Sequence, residues 1–285
     1  MKLIRFGGLN KEKPGVCIDN INYDVSRFIY DYDAAFFANG GLPHLAWMLE
    51  KYKTMLPEVP GDERIGCPVA SPSKIVCIGL NYADHAKETE AAIPVEPIIF
   101  LKSTTSIGGP YDNIIIPKNS LKTDWEVELA VVISKRSTHV DEDKAMDHVA
   151  GYVLHNDVSE REFQLERGGT WDKGKGCDSF APLGPYLVTQ DEIADVNDLR
   201  LWLKVNDKIM QDGTTSNLIF NIPFLVSYVS RFMTLLPGDI ISTGTPAGVG
   251  LGFKPPVYLK KGDVVELGIE GLGTAKQNCV AYGGN

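Results

Sequence analysis

Short apolar runs with strand character recur through most of this chain, and no regular series of helices separates them. Ile75–Leu80, Ile98–Lys102, Ile114–Ile116, Val127–Ile133, Tyr152–Leu154, Leu199–Val205, Asp239–Thr243 and Val264–Ile269 all read as strands. Helical spacing is confined to Asp141–Val149, Ser159–Arg167 and Pro223–Phe232 in this region. Parallel doubly wound sheets need a helix between successive strands, and that rhythm is missing. The expectation is an α+β, β-rich body with a mixed or antiparallel sheet and peripheral helices.

The first 69 of the 285 residues read differently. Leu3–Phe6, Val16–Ile18 and Ile21–Tyr23 look like short strands, with Asp19-Asn20 as a turn, and Leu45–Tyr52 has helical spacing. The Pro-rich stretch Leu56–Asp62 follows, then prolines on either side of Ser71. A small N-terminal α+β domain at 1–69 and a larger domain at 70–285 are expected. The length is enough for a substantial core.

Lys and Arg total 28 against 37 Asp and Glu, a formal charge of −9. Such a balance disfavours a nucleic-acid binder or a protein held to anionic lipid, since both need excess positive charge. No apolar run approaches the ~18 residues of a membrane span. Arg5 falls where a signal peptide needs its apolar core. The five cysteines are scattered and form no Cys-x-x-Cys pair, so a reducing cytoplasm is the expected compartment.

Three segments carry candidate chemistry. In Asp124-Trp125-Glu126-Val127-Glu128, strand alternation aims Glu126 and Glu128 the same way, ~7 Å apart. A solvated sheet face would explain such a pair. So would a cation, if the strand ending at Asp157 lies alongside and adds a third carboxylate. An oxygen-only set favours Mg²⁺ or Mn²⁺; with no His-Glu-x-x-His and no Cys/His cluster, zinc is disfavoured. In Gly79–Glu88, His85 and Glu88 lie three apart and share a helical face. That pairing suits water activation, but it also describes an ordinary surface ion pair. His44, His139 and His148 sit in polar, surface-like contexts, and His155 would stand behind the acidic strand end at most. The Gly-rich turn at Thr243–Gly250 lacks Gly-Lys-Ser/Thr, so a nucleotide site is not expected, although its amides could bind an oxyanion.

Taken in order, Gly-x-Asn-Tyr-x-x-His-x-x-Glu at 79–88, Glu-x-Glu at 126–128, Asn-Asp at 156–157, Lys-Gly-x-Asp at 175–178 and Thr-Gly-Thr-Pro-x-Gly-Val-Gly at 243–250 resemble the fumarylacetoacetate hydrolase family. The resemblance spans about residues 70–285 and implies that family's β-rich catalytic fold, a divalent metal (Mg²⁺, with Mn²⁺ possible) and a homodimer. It implies Glu126, Glu128 and Asp157 as metal ligands. His85 and Glu88 become a water-activating dyad on a lid, and Lys175, Gln164, Arg161 and Thr245 contact the 2-oxoacid end of a small substrate, with Lys175 also catalytic. Thr245 is expected to donate to a developing oxyanion.

Within the family, residues 160–178 look most like hydrolases of 2,4-diketo-3-deoxy sugar acids of the rhamnonate or fuconate type. That resemblance implies C–C cleavage to pyruvate and a short acid such as lactate. Arg167, Trp171 and Lys173 are then candidates for shaping the tail site. Oxaloacetate decarboxylation and 2-oxo-enoate hydration or isomerisation use the same platform and are the alternatives. Cys177 departs from the aromatic residue of many members.

Overall fold

The structure, a computed structural model, describes residues 1–90 and 92–283. Two sheets hold all but two short strands of the described chain. The larger has eleven strands, and its path runs Ile21–Asp24, Lys13–Ile18, Lys2–Phe6, Ala181–Thr189, Val149–Asn156, Val127–Ile133, Ile240–Ser242, Ile75–Gly79, Ile98–Lys102. Ile65–Gly66 and Ile107–Gly108 pair off this path. The sheet is mixed: Ile240–Ser242 runs parallel to Ile75–Gly79, while Val127–Ile133 is antiparallel to both its neighbours. A second sheet of five strands runs Lys208–Thr214, Arg200–Val205, Val264–Ile269, Gly273–Ala281, Ile114–Ile116.

Why the larger sheet sits centrally is plain from Val127–Ile133, which is buried at every position. Its odd-numbered side chains, Val127, Leu129, Val131 and Ile133, pack against Leu201, Leu203, Val265 and Leu267 of the second sheet. On the opposite face, Ala130 and Val132 join Leu3, Val16, Leu45, Met48 and Ile240. A strand covered on both faces has no solvent side, so its sequence is apolar throughout except at Glu128. That single carboxylate shares the face of Ala130 and Val132 and lies at the strand's beginning, where apolar cover ends.

The first 69 residues are not set apart in packing. Lys2–Phe6 pairs antiparallel with Ala181–Thr189, Lys2 opposite Val188, and so extends the large sheet. The helix Gly41–Tyr52 adds Leu45 and Met48 to the core that Ile75, Cys77 and Ile240 share. One continuous sheet therefore crosses the boundary expected at residue 70.

Two helical expectations take other forms. Glu142–His148 is a 3₁₀ helix, and residues 159–167 divide into a two-residue strand, Ser159–Glu160, and a π-turn, Glu162–Glu166. The strand pairs Ser159 with Asp124, which draws Arg161 toward the acidic residues at 124–128. Pro223–Phe232 is helical as its spacing predicts, within Ile222–Phe232, capped by the Asn221 side chain on Phe224 N–H. Among the described residues no helix is long and apolar enough to cross a membrane.

Candidate active site and metal centre

Strand register brings the acidic residues together. Val127 pairs with Asn156 and Glu128 with His155, so the first strand's beginning lies against the second strand's end. Alternation then sets Asp157 on the face of His155 and Glu128. Glu126, Glu128 and Asp157 are buried, and one carboxylate oxygen from each falls within 4.8 Å of the others. Glu126 and Glu128 open into a cavity of about 330 Å³ that Arg161, Gln164, Lys175, Thr245 and His85 also line.

Three buried cations surround this triad. Lys175 Nζ donates to Glu126 Oε2 at 2.6 Å and to Asp157 Oδ2 at 2.9 Å. Lys102 Nζ donates to Asp157 Oδ1 and, at 3.0 Å, to the Val158 carbonyl. Arg161 donates through Nε to Asp124 Oδ2 at 2.8 Å, through Nη2 to Glu126 Oε1 at 2.7 Å and through Nη1 to Gln164 Oε1 at 3.0 Å. Burial alone would raise the Asp157 carboxyl, but the Lys102 and Lys175 charges outweigh it and hold the group well below the usual carboxylate range. Burial lowers Lys175, while Asp157 and Glu126 more than restore it, to about 12.

Glu128 fares differently. Burial pushes its carboxyl well above the usual range, and the Asp157 and Glu126 charges push it further. Both hydrogen bonds it accepts go to Oε2, from Ser242 Oγ at 2.5 Å and Gly244 N–H at 3.1 Å, so Oε1 is left toward the cavity. Because Ser242 donates to Glu128, it accepts from Nδ1 of buried His155 at 2.7 Å. Burial lowers that imidazole to about 3, and Nε2 has no hydrogen-bond partner. Counting Asp124, four carboxylates face three cations here. A further positive charge within reach of Glu128 Oε1 would relieve the imbalance, and three oxygen donors suit a hard divalent ion. The residues present fit such a metal.

On the cavity's other side the helix Ala83–Glu88 presents the dyad, with His85 Nδ1 3.3 Å from Glu88 Oε2. A carboxylate only accepts, so Nδ1 carries a proton, and in the neutral imidazole Nε2 then holds the lone pair. Glu88 is held in turn by Gly248 N–H, at 3.0 and 3.1 Å from its two oxygens. Gly248 has φ +103°, and a Cβ there would lie 1.9 Å from the Met210 carbonyl oxygen. Gly250 and Leu251 N–H donate to Asp124 at 2.6 and 3.0 Å. The Gly-rich turn is thus an anion cradle as its amides suggest, but the anions are the protein's own Glu128, Glu88 and Asp124. Asn81 fastens that turn to the helix approach by donating to the Thr243 and Phe220 carbonyls.

Several expected roles change in detail. Thr245 Oγ1 donates to the Val127 carbonyl at 2.9 Å and accepts from Gln211 at 2.8 Å, so its proton is already committed and is not aimed at a substrate oxyanion. Arg161, which lines the cavity, is engaged by Asp124, Glu126 and Gln164 and so clamps the Glu126 carboxylate. The same clamp fixes the Gln164 amide with its oxygen inward, leaving its NH₂ for the cavity. Arg167 pairs with Glu162 and Lys173 with the Arg167 carbonyl; of those three tail candidates, Trp171 alone lines the cavity. Lys102 and Ser242 were outside the expected set. The alternation of Phe100 and Lys102, both inward in Ile98–Lys102, is the signal that could have found the lysine.

A mixed β-rich fold thus gathers three buried carboxylates near a His-Glu pair, an arrangement suited to an enzyme that uses a divalent ion. Residues 74–280 match the fumarylacetoacetate hydrolase C-terminal family, and the chain belongs to that family. A protein of Burkholderia multivorans, whose description goes no further than a hydrolase assignment, is 52% identical over 97% of this chain and 98% of its own length. The maleylpyruvate hydrolase of Sphingobium sp. SYK-6, solved with manganese(II) and pyruvate, has a TM-score of 0.82 at 29% identity, with 99% of each chain covered. The 5-carboxymethyl-2-hydroxymuconate delta-isomerase of Mycobacterium smegmatis has a TM-score of 0.78 at 32% identity, with 100% of each covered.

Proposed function

We propose that this enzyme hydrolyses the C3–C4 bond of a 2,4-dioxo acid, releasing pyruvate and a short carboxylic acid. The observation that carries the reading is His85, paired with Glu88, lining the same cavity as Glu126 and Glu128 of the buried triad. The manganese and pyruvate in the Sphingobium enzyme support it. A divalent ion held by Glu126, Glu128 and Asp157, Mg²⁺ or Mn²⁺, supplies Lewis-acid stabilisation of negative charge growing on the 2-oxo side of the substrate. The chain's own residues do the rest. His85 Nε2 takes a proton from water, oriented through Nδ1 by Glu88, and the water oxygen bonds to C4. As the C3–C4 bond breaks, its electron pair passes to the pyruvate side, and C3 then takes up a proton. The Gln164 NH₂ and the Lys175 ammonium offer donors to the substrate carboxylate.

A base positioned for water favours hydrolysis over the decarboxylase, hydratase and isomerase reactions of the same platform. The sugar-acid subclass belongs to the 2,4-dioxo acids, with lactate as its short product. The test is pyruvate release from a panel of 2,4-dioxo acids, with CO₂ release from oxaloacetate alongside, in Mn²⁺ and after chelation. His85→Ala is expected to cut release ~10²–10⁴-fold while calorimetry shows Mn²⁺ affinity nearly unchanged. Full activity in that variant, or CO₂ as the main product, would exclude the assignment.

A further inference from the structure

One polar side chain on the apolar face of the large sheet takes no part in the proposed hydrolysis. His155 pairs with Glu128 on one side and Leu183 on the other, and it is wholly buried. Across the sheet it stands with Ala130, Val153 and Leu183, all buried members of one apolar cluster. Its Nε2 has no hydrogen-bond partner among the described residues, and burying a polar nitrogen that way is costly. A leucine would fill a similar volume without that cost.

What the imidazole does engage is Ser242. Its Nδ1 lies 2.7 Å from Ser242 Oγ, whose single proton goes to Glu128 Oε2 at 2.5 Å, so Nδ1 is the donor. The bond reaches over a strand: His155 is on Val149–Asn156, Ser242 on Ile240–Ser242, and Val127–Ile133 runs between them. Ala130, opposite Ser242 on that middle strand, offers only a methyl where a larger side chain would close the gap. The pinned hydroxyl and Gly244 N–H share Glu128 Oε2, and the carboxylate's other oxygen is left to the cavity.

We infer that His155 is a positioning residue for the metal centre, acting through Ser242. By donating to Oγ it stops the hydroxyl from rotating, and the fixed hydroxyl holds Glu128 by Oε2 so that Oε1 is aimed at the ion. Without that donor the serine is free to turn away, and Gly244 N–H alone orients the carboxylate. This rests on Glu126, Glu128 and Asp157 holding a divalent ion, as the proposed hydrolysis requires, and is independent of which acid is cleaved.

Calorimetric titration of Mn²⁺ into chelator-treated protein tests the role. Removing a partner that stands behind a ligand typically costs ~10–100-fold in metal affinity, and His155→Leu should lose that much. The frozen-solution EPR spectrum of its bound Mn²⁺ should also change, because Glu128 sits differently. His155→Asn, whose amide N–H falls where Nδ1 stood, should return both affinity and spectrum close to wild type. His155→Gln, with its amide out at the Nε2 position, should not. Ser242→Ala should itself weaken binding, and adding His155→Leu to it should change affinity no further. Wild-type affinity and spectrum in His155→Leu overturn the inference. So does an equal loss from His155→Leu with or without Ser242, since packing alone would act in both backgrounds. Should His155→Leu not fold, the Asn and Gln variants decide, and equal affinities in those two overturn it. Wild type that binds no Mn²⁺ overturns the metal centre itself, a failure seen before any substitution is made.

Discussion

Lys102 gives the sharpest test of the electrostatic frame. Its ammonium is buried against Asp157 and the Val158 carbonyl, and the neighbouring Lys175 is the only other cation recorded on Asp157 among the described residues. Replacing Lys102 with Met keeps most of the stem's volume but removes one of those two charges. Breaking a buried pair from one side typically costs ~3–5 kcal/mol, because the partner is left charged and out of water. At roughly 2–3 °C per kcal/mol for a chain of this size, the chelated variant should melt about 6–15 °C below wild type. The same substitution makes the triad more negative, so a divalent ion should bind it more tightly. At a free concentration 100 times Kd a ligand adds about 2.7 kcal/mol, and Mn²⁺ should therefore lift the variant's Tm further than wild type's. Scanning calorimetry in EDTA and in Mn²⁺ gives all four values. A chelated variant within about 2 °C of wild type, or one that Mn²⁺ stabilises less than wild type, would show that Lys102 does not neutralise Asp157.

Two further outcomes follow from groups behind the site. Burial holds the His155 folded pKa near 3 against an ordinary 6.5, so its neutral form contributes stability that is full above 6.5 and is lost as pH falls toward 3; denaturant unfolding of chelated protein should weaken more steeply from pH 7 to 4 in wild type than in His155→Leu, and parallel curves would rule this out. Gly248→Ala should cost several kcal/mol or shift the turn, since its Cβ meets the Met210 carbonyl; if it folds, pyruvate release should fall far more than Mn²⁺ affinity, because Gly248 N–H holds Glu88 and touches no metal-ligating residue.

The acidic triad was legible because it depends on strand periodicity, which a sequence displays directly: Glu126, Glu128 and Asp157 converge through register alone. Strands with mixed composition were not. Ala181–Thr189 carries two prolines and a glycine, Lys208–Thr214 is largely polar, and Gly273–Ala281 has Lys276, Gln277 and Asn278 in a row. Their places are fixed by neighbours rather than by local preference. The same holds for Ser159–Arg167, whose helical spacing yields to pairing with Thr123–Asp124. Arg161 and Thr245 stood out as polar residues in the right motifs, but what they bond to depends on carboxylates and carbonyls far along the chain. Nor does spacing reveal that backbone amides at 244, 248 and 250 are consumed internally.

That last arrangement divides the molecule's freedom to vary. Peptide groups anchor the reacting centre, and nearly any side-chain change leaves a peptide group in place. Much of the remaining cavity wall is built from ordinary apolar side chains such as Ile98, Leu165 and Leu251. Exchanging those alone could retune which acids are accepted while the chemistry stays put, so selectivity in this scaffold can drift one residue at a time without passing through a dead enzyme.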